Sequence, residues 1–283
     1  MDKLIEKISE KGNPTVAGLD PRPSHLPPGF LDRLPPAEAY LEFSLGLIDA
    51  LADIVPAVKP QAACYEALGS AGMSVLEKTI TCAREAGLYV IGDAKRADIG
   101  STAEAYAEAW LGDGAFSCDA VTVNPYLGSD GIIPFLDAAK SRGGAVFALV
   151  KTSNPSSSEL QDIDAGGAPL WMRAAELAEK LGGDSIGIHG YSSLGAVTGL
   201  THPADIRALR MRFPHMFFLV PGYGAQGGGA SEAALAFDSR GLGAIINSSR
   251  AIMCAWKSRG GDYKTAARAE ALAMRDSLRD ALS

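Results

Sequence analysis

Leu88-Tyr89-Val90-Ile91-Gly92-Asp93-Ala94-Lys95-Arg96-Ala97-Asp98-Ile99-Gly100 is an apolar run that turns abruptly ionic. Read as a strand over Leu88–Lys95, residues two apart share a face, so Asp93 and Lys95 point the same way. Asp98 falls just past the strand end, where the chain turns into its next element. Charges of both signs at one strand end are costly to bury unless they pair or a site requires them. An ordinary ion pair on the rim of a fold meets the first condition, and a reactive cluster meets the second.

The same pattern recurs along the chain. Short apolar runs read as strands near Thr15–Asp20, Ala57–Gln61, Leu88–Lys95, Ala120–Asn124, Ala145–Thr152, Gly195–Leu200, Met216–Pro221 and Gly243–Ser248. Ile186–His189 competes for the sixth place. Gly195–Leu200 is preferred because Thr201-His202-Pro203 then opens a helix. Helical spacing is carried by Ala37–Ile54, Gly72–Ala86, Thr102–Gly112, Pro169–Leu181, Ala204–Phe213, Ser231–Asp238 and Lys264–Leu282. Near-continuous apolar strands alternating with helices predict a TIM (β/α)8 barrel, a single domain over residues 1–283. Asn154–Gly167 reads as a long loop after strand five, and Gly224–Gly229 as a mobile loop after strand seven.

All but the sixth of the expected strands are followed by polar or special residues: Asp20, Lys59 to Gln61, Asp93 to Asp98, Asn124, Lys151 to Asn154, Gly222 to Gln226, and Asn247 to Arg250. In this barrel those positions converge on the C-terminal mouth, where active sites are built. Packing alone asks for no polar residues there, so the distribution favours an enzyme.

Composition narrows the partners. The 283 residues are 47% hydrophobic and 21% charged, as in an ordinary globular protein large enough for a sizeable core. A net charge of -7 without any Lys/Arg block argues against nucleic acid or an anionic membrane as partner. A small anionic ligand held by a few local donors fits. Cys64, Cys82, Cys118 and Cys254 are scattered, with neither CxxC nor clustered His. Neither a disulfide framework nor a zinc site is expected, and a reducing cytoplasm is the expected compartment. Met1 to Lys11 lacks an apolar signal core, and no apolar run is long enough to span a membrane.

Lys59 follows Val58 at the end of strand two. It is either a solvated lysine or the partner of Asp93 in a Lys-Asp-Lys-Asp chain across strands two and three. Alternating signs would let each charge offset its neighbours in a site shielded from water, leaving the Lys95 ammonium as a proton donor. Pro221-Gly222-Tyr223-Gly224-Ala225-Gln226-Gly227-Gly228-Gly229 and Asn247-Ser248-Ser249-Arg250-Ala251 follow strands seven and eight. A Gly-rich loop alone is more often a plain turn. With Arg250 in the adjacent loop, it marks the place where this fold binds phosphate.

Six segments together resemble the orotidine 5'-phosphate decarboxylase family. They are Gly18-Leu19-Asp20-Pro21-Arg22-Pro23, Val58-Lys59-Pro60-Gln61, Asp93 to Thr102, Val121 to Gly128, Thr152-Ser153-Asn154-Pro155 and Val220 to Gly227. The likeness runs from about residue 13 to 252 and is strongest to the type 2, mycobacterial-type bacterial subfamily. Asp-x-Lys-x-x-Asp by itself is shared with sister phosphosugar enzymes; the full set is far more specific. The resemblance implies conversion of orotidine 5'-monophosphate to UMP and carbon dioxide, without metal or organic cofactor. It matches Lys59, Asp93, Lys95 and Asp98 to the family's charged tetrad, with Lys95 protonating C6. It matches Asp20 and Lys59 to ribose contacts, Ser153 to the pyrimidine edge, and Gln226 and Arg250 to phosphate. Asp98 and Thr102 match positions that reach into a neighbouring subunit, which implies a homodimer with shared sites.

Two rivals stand beside this reading. A Mg²⁺-dependent phosphosugar decarboxylase or aldolase would use the same barrel but needs carboxylates for its metal, and has no evident use for Thr152-Ser153-Asn154-Pro155. A catalytically silent nucleotide-binding barrel would have no use for a carboxylate aimed at an anionic substrate.

Overall fold

The computed structural model describes every residue of the chain except 225–227. Eight strands, β1 (Thr15–Leu19), β2 (Ala57–Pro60), β3 (Tyr89–Arg96), β4 (Ala120–Val123), β5 (Ala145–Lys151), β6 (Leu194–Thr198), β7 (Phe218–Pro221) and β8 (Ala244–Ser248), form a closed barrel in sequence order. Every neighbouring pair is parallel, and β8 closes on β1. The sixth strand is therefore Leu194–Thr198, and Ile186 makes only an isolated bridge to Ser192.

The strands read as almost unbroken apolar runs because both of their faces are covered. Val16, Ala57, Tyr89, Ile91, Ala120, Ala145 and Phe147 belong to the cluster inside the barrel. Their neighbours Ala17, Val58, Val90, Val121 and Val146 belong to the larger shell under the helices. Each fully buried large side chain contributes about 1.5–3 kcal/mol, so the two layers together drive folding.

Helices over Pro36–Leu51, Gly69–Glu85, Gly100–Leu111, Leu170–Gly182, Pro203–Arg212 and Tyr263–Leu282 occupy the expected stretches to within a few residues. The helix expected over Ser231–Asp238 is shorter, Ala230–Ala234. Among the described residues, two helices of ten residues lie outside the expectation, besides several single-turn ones. Asp2–Lys11 places Leu4, Ile5 and Ile8 in the inner cluster, while Lys3 and Lys7 donate to the carbonyls of Arg142 and Gly87. Those carbonyls precede β5 and β3, so this helix plugs the N-terminal end of the barrel. Ile133–Arg142 fills the interval between β4 and β5. The loop Asn154–Gly167 also carries structure, a 3₁₀ turn at Pro155–Ser157 followed by a helical turn at Ser158–Gln161. Among the described residues, no helix is long and apolar enough to cross a membrane.

Candidate active site

The strand period that puts Ala57, Ile91 and Ala120 inside the barrel also sends the residues two further on inward. Those residues are Lys59, Asp93 and Thr122, one step nearer the C-terminal mouth. Lys59 is 4% exposed and Asp93 6%. With Asp20, Lys95, Ser153 and Arg250 they line one cavity of about 760 Å³, inside the size range of small-molecule sites. Leu149, Val197 and Leu219 give its far side an apolar surface.

Lys95 reaches the cluster by a route that a simple pleat does not provide. The register of β3 against β4 slips between Gly92, opposite Val121, and Arg96, opposite Val123. Three residues, 93 to 95, thus face Thr122 alone, which is a bulge. At its apex Lys95 adopts φ +48°, the one positive φ at a non-glycine among the described residues. A left-handed lysine costs about 1–2 kcal/mol, and such strain persists only where the surroundings enforce it. Here the Lys95 N–H donates to Thr122 Oγ1 at 3.0 Å, and Thr122 Oγ1 donates to Asp93 Oδ1 at 3.1 Å. The expected meeting of Asp93 and Lys95 occurs, but through the bulge.

Asp93 is the hub. Lys59 Nζ donates to its Oδ2 and Lys95 Nζ to its Oδ1, while Gln61 Nε2 adds a bond to Oδ2 at 3.0 Å. Burial alone would raise the Asp93 pKa, but the two ammonium groups overcome it and hold the carboxyl well below the usual carboxylate range. Burial alone would likewise depress Lys59. Asp93, then Asp20, outweigh it, and its pKa is raised. The result is a fixed carboxylate between two lysines, one of them sheltered and the other 43% exposed toward the opening. Such an array can hold an anionic ligand by its cations and present an ammonium donor to a developing carbanion.

The remaining expected residues divide. Arg250 opens the short helix Arg250–Met253 directly after β8, beside Asn247 and Ser249 on the cavity wall. Asp20 follows β1, and its buried Oδ1 has no hydrogen-bond partner among the described residues; the same holds for Asn247 Oδ1. Asp98 and Thr102 do not line this cavity. Asp98 is half-buried, with Oδ1 accepting the Ile99 N–H at 2.8 Å, and Thr102 is exposed on the helix that follows. Gln226 and part of the Gly224–Gly229 loop lie outside the described residues. Gln61 and Thr122 stand in the quoted segments, yet nothing in the sequence assigned them a contact with Asp93. Gln161, also on the cavity wall, left no local signal because it sits in a stretch that reads as loop. Among the described residues, no group of three or more His, Cys, Asp or Glu could hold a metal ion.

Comparison with known proteins agrees with this architecture. The sequence profile described as "Orotidine 5'-phosphate decarboxylase / HUMPS family" matches residues 16–260. A Rhodopirellula baltica orotidine 5'-phosphate decarboxylase is 45% identical over 266 residues, covering 90% of this chain and 88% of its own. A Clostridium perfringens protein of the same name is 39% identical over 285 residues, covering 99% and 98%. Among solved structures, Leishmania donovani OMP decarboxylase superposes with a TM-score of 0.76 at 33% identity, covering 97% of this chain and 98% of that one. A Lys-Asp-Lys cluster around the buried Asp93 at a barrel mouth, inside a chain matched along nearly its whole length, makes this protein a member of the orotidine 5'-phosphate decarboxylase family.

Proposed function

We propose that the chain converts orotidine 5'-monophosphate to UMP and carbon dioxide, the last step of de novo UMP synthesis. The observation that carries this reading is the convergence of Lys59 and Lys95 on the buried Asp93 at the cavity mouth. The chain's motifs further resemble the type 2 bacterial subfamily, and a cytoplasmic location belongs to the same reading.

Loss of carbon dioxide from a ring carbon without an electron sink leaves a vinyl-type carbanion, so the barrier is high. Enzymes supply roughly 8–23 kcal/mol, and this chemistry needs the upper part. Asp93 facing the substrate carboxylate repels it by about 4 kcal/mol, for charges ~4 Å apart at an effective dielectric near 20. That is a minor share. The larger share falls to Lys95, an ammonium held by Asp93 and the bulge where negative charge develops at C6, which it then protonates. Asp20 and Lys59 take the ribose hydroxyls, Ser153 the pyrimidine edge, and Arg250 with Gln226 the phosphate. The unfilled acceptor of Asp20 suits a hydroxyl donor. Phosphate binding, remote from C6, offsets the cost of enclosing the site.

Asp98 and Thr102 then serve the site of a second copy. Ile99, Tyr126 and Leu127 are exposed apolar residues near this edge, Tyr126 at 76%, and a subunit covering them would bring Asp98 into reach of its own cluster. Mixing separately inactive Lys95→Ala and Asp98→Ala subunits tests this. Random re-pairing should restore on the order of a quarter of wild-type activity, because one site in each mixed dimer is intact. No recovery would remove Asp98 from a shared site.

Loss of orotidylate absorbance on addition of the protein is the direct assay. Turnover that survives EDTA argues against the metal-dependent sister chemistry, and UMP binding without turnover would leave only the silent barrel.

A further inference from the structure

The end of β5 carries polar contacts that the proposed chemistry does not use. Lys151 is fully buried, yet it does not line the cavity; its Nζ pairs with Asp162 in the loop that follows. The register of β5 against β6 slips between Leu149 and Lys151, so Leu149 faces the cavity while Lys151 turns away from it. Beside Asp162, Gln161 meets Thr152 twice. Its Oε1 accepts the Thr152 N–H at 2.9 Å, and its Nε2 donates to Thr152 Oγ1 at 2.7 Å. Thr152 Oγ1 in turn donates to Asn154 Oδ1 at 2.6 Å, and Asn154 Nδ2 to Ser156 Oγ at 3.1 Å.

The chain of donors runs one way and brackets Ser153. From the other side, a Cβ on Gly199 would lie 2.8 Å from Ser153 Cα, Cβ and N, so the serine is wedged between the Gln161 contacts and the glycine backbone. The Gly199 N–H donates to the Lys151 carbonyl at 2.7 Å, which fixes that wall.

We propose that Gln161, anchored by the neighbouring Lys151–Asp162 pair, is a positioning residue that aims Ser153 and Asn154 at the edge of a pyrimidine base and so confers selectivity for base-bearing phosphates. The inference rests on the nucleotide reading above and deepens it. A Thr hydroxyl has one proton, and here it goes to Asn154. Glutamate at 161 keeps the acceptor for the Thr152 N–H but cannot donate to Oγ1, so the hydroxyl must turn back and release Asn154.

The test compares UMP with ribose 5-phosphate, which lacks the base, by calorimetric binding to the wild type, Gln161→Glu, Gln161→Ala and Asp162→Asn. Gln161→Glu should weaken UMP about tenfold, the scale of one hydrogen bond, and leave ribose 5-phosphate within about twofold. KM for orotidine 5'-monophosphate should rise with the melting temperature held. Asp162→Asn should act in the same direction more weakly. Equal weakening of both ligands, or undiminished UMP binding, overturns the assignment. Should Gln161→Ala fail to fold, the isosteric glutamate carries the result. A wild type that binds UMP yet leaves orotidylate intact would refute the decarboxylase reading alone, since the ligand comparison requires no turnover.

Discussion

Lys59 and Lys151 both leave the C-terminal ends of barrel strands, both are nearly removed from water, and both meet an aspartate. Their surroundings differ. Asp93 is as sheltered as Lys59 and is shared with Lys95, Gln61 and Thr122, all facing the cavity. Asp162 remains 43% exposed and its lysine turns away from that cavity. Burial of an ion pair therefore says little about its role. The face of the strand from which the lysine departs says more, because the inner face leads to the cavity and the other to the loop after β5.

Substitutions at matched positions can break this contrast. Lys95→Ala should lower kcat by at least ~10³-fold while leaving UMP affinity nearly intact, since the ammonium acts mainly on charge formed in the transition state. Lys59→Met should also cost roughly 10²–10³-fold in kcat/KM, whereas Lys151→Met should cost about tenfold, expressed mainly in KM. Equal losses at 59 and 151, followed by the absorbance assay, would erase the distinction drawn between the two pairs.

Arg250→Ala comes next. It should weaken UMP by about 10–100-fold, the scale of a charge-assisted contact, and leave uridine almost unchanged. Equal weakening of both ligands would move Arg250 off the phosphate.

The smallest effect is on stability against pH. The depressed pKa of Asp93 contributes stability that is complete above its ordinary value of 3.8 and is lost as pH falls through the folded value. The raised pKa of Lys59 contributes stability complete below 10.5 and lost as pH rises through its folded value. Melting curves of the wild type and Asp93→Asn should therefore differ most between these limits and converge toward both. A constant gap across the range would mean that the carboxylate acts by shape alone.

The barrel was legible because strands buried on both faces write continuous apolar runs, and because polar residues stood after seven of the eight. The helix Ile133–Arg142 escaped because it starts on Ile133-Pro134 behind the turn-rich Pro125–Gly131, with no long amphipathic stretch to announce it. Asp2–Lys11 escaped for another reason. Its charges suggest a solvated end, and only the buried Leu4, Ile5 and Ile8 reveal the plug. At the site, the shared face of Asp93 and Lys95 followed from strand alternation, and the pairing of Lys59 with Asp93 was one of two readings of its place at the end of strand two. The posture of Lys95 did not follow, since a bulge depends on how two strands register, which neither strand encodes by itself. Gln161 was hidden for the same reason: its bond to Thr152 joins residues on either side of a turn.

The backbone at Lys95 has one more consequence. A residue coiled against its natural handedness would relax if its side chain were removed altogether. Lys95→Gly should thus be inert yet melt at a higher temperature than the equally inert Lys95→Ala. At the lysine proposed to protonate C6, chemistry and durability would then make opposite demands on a single amino acid.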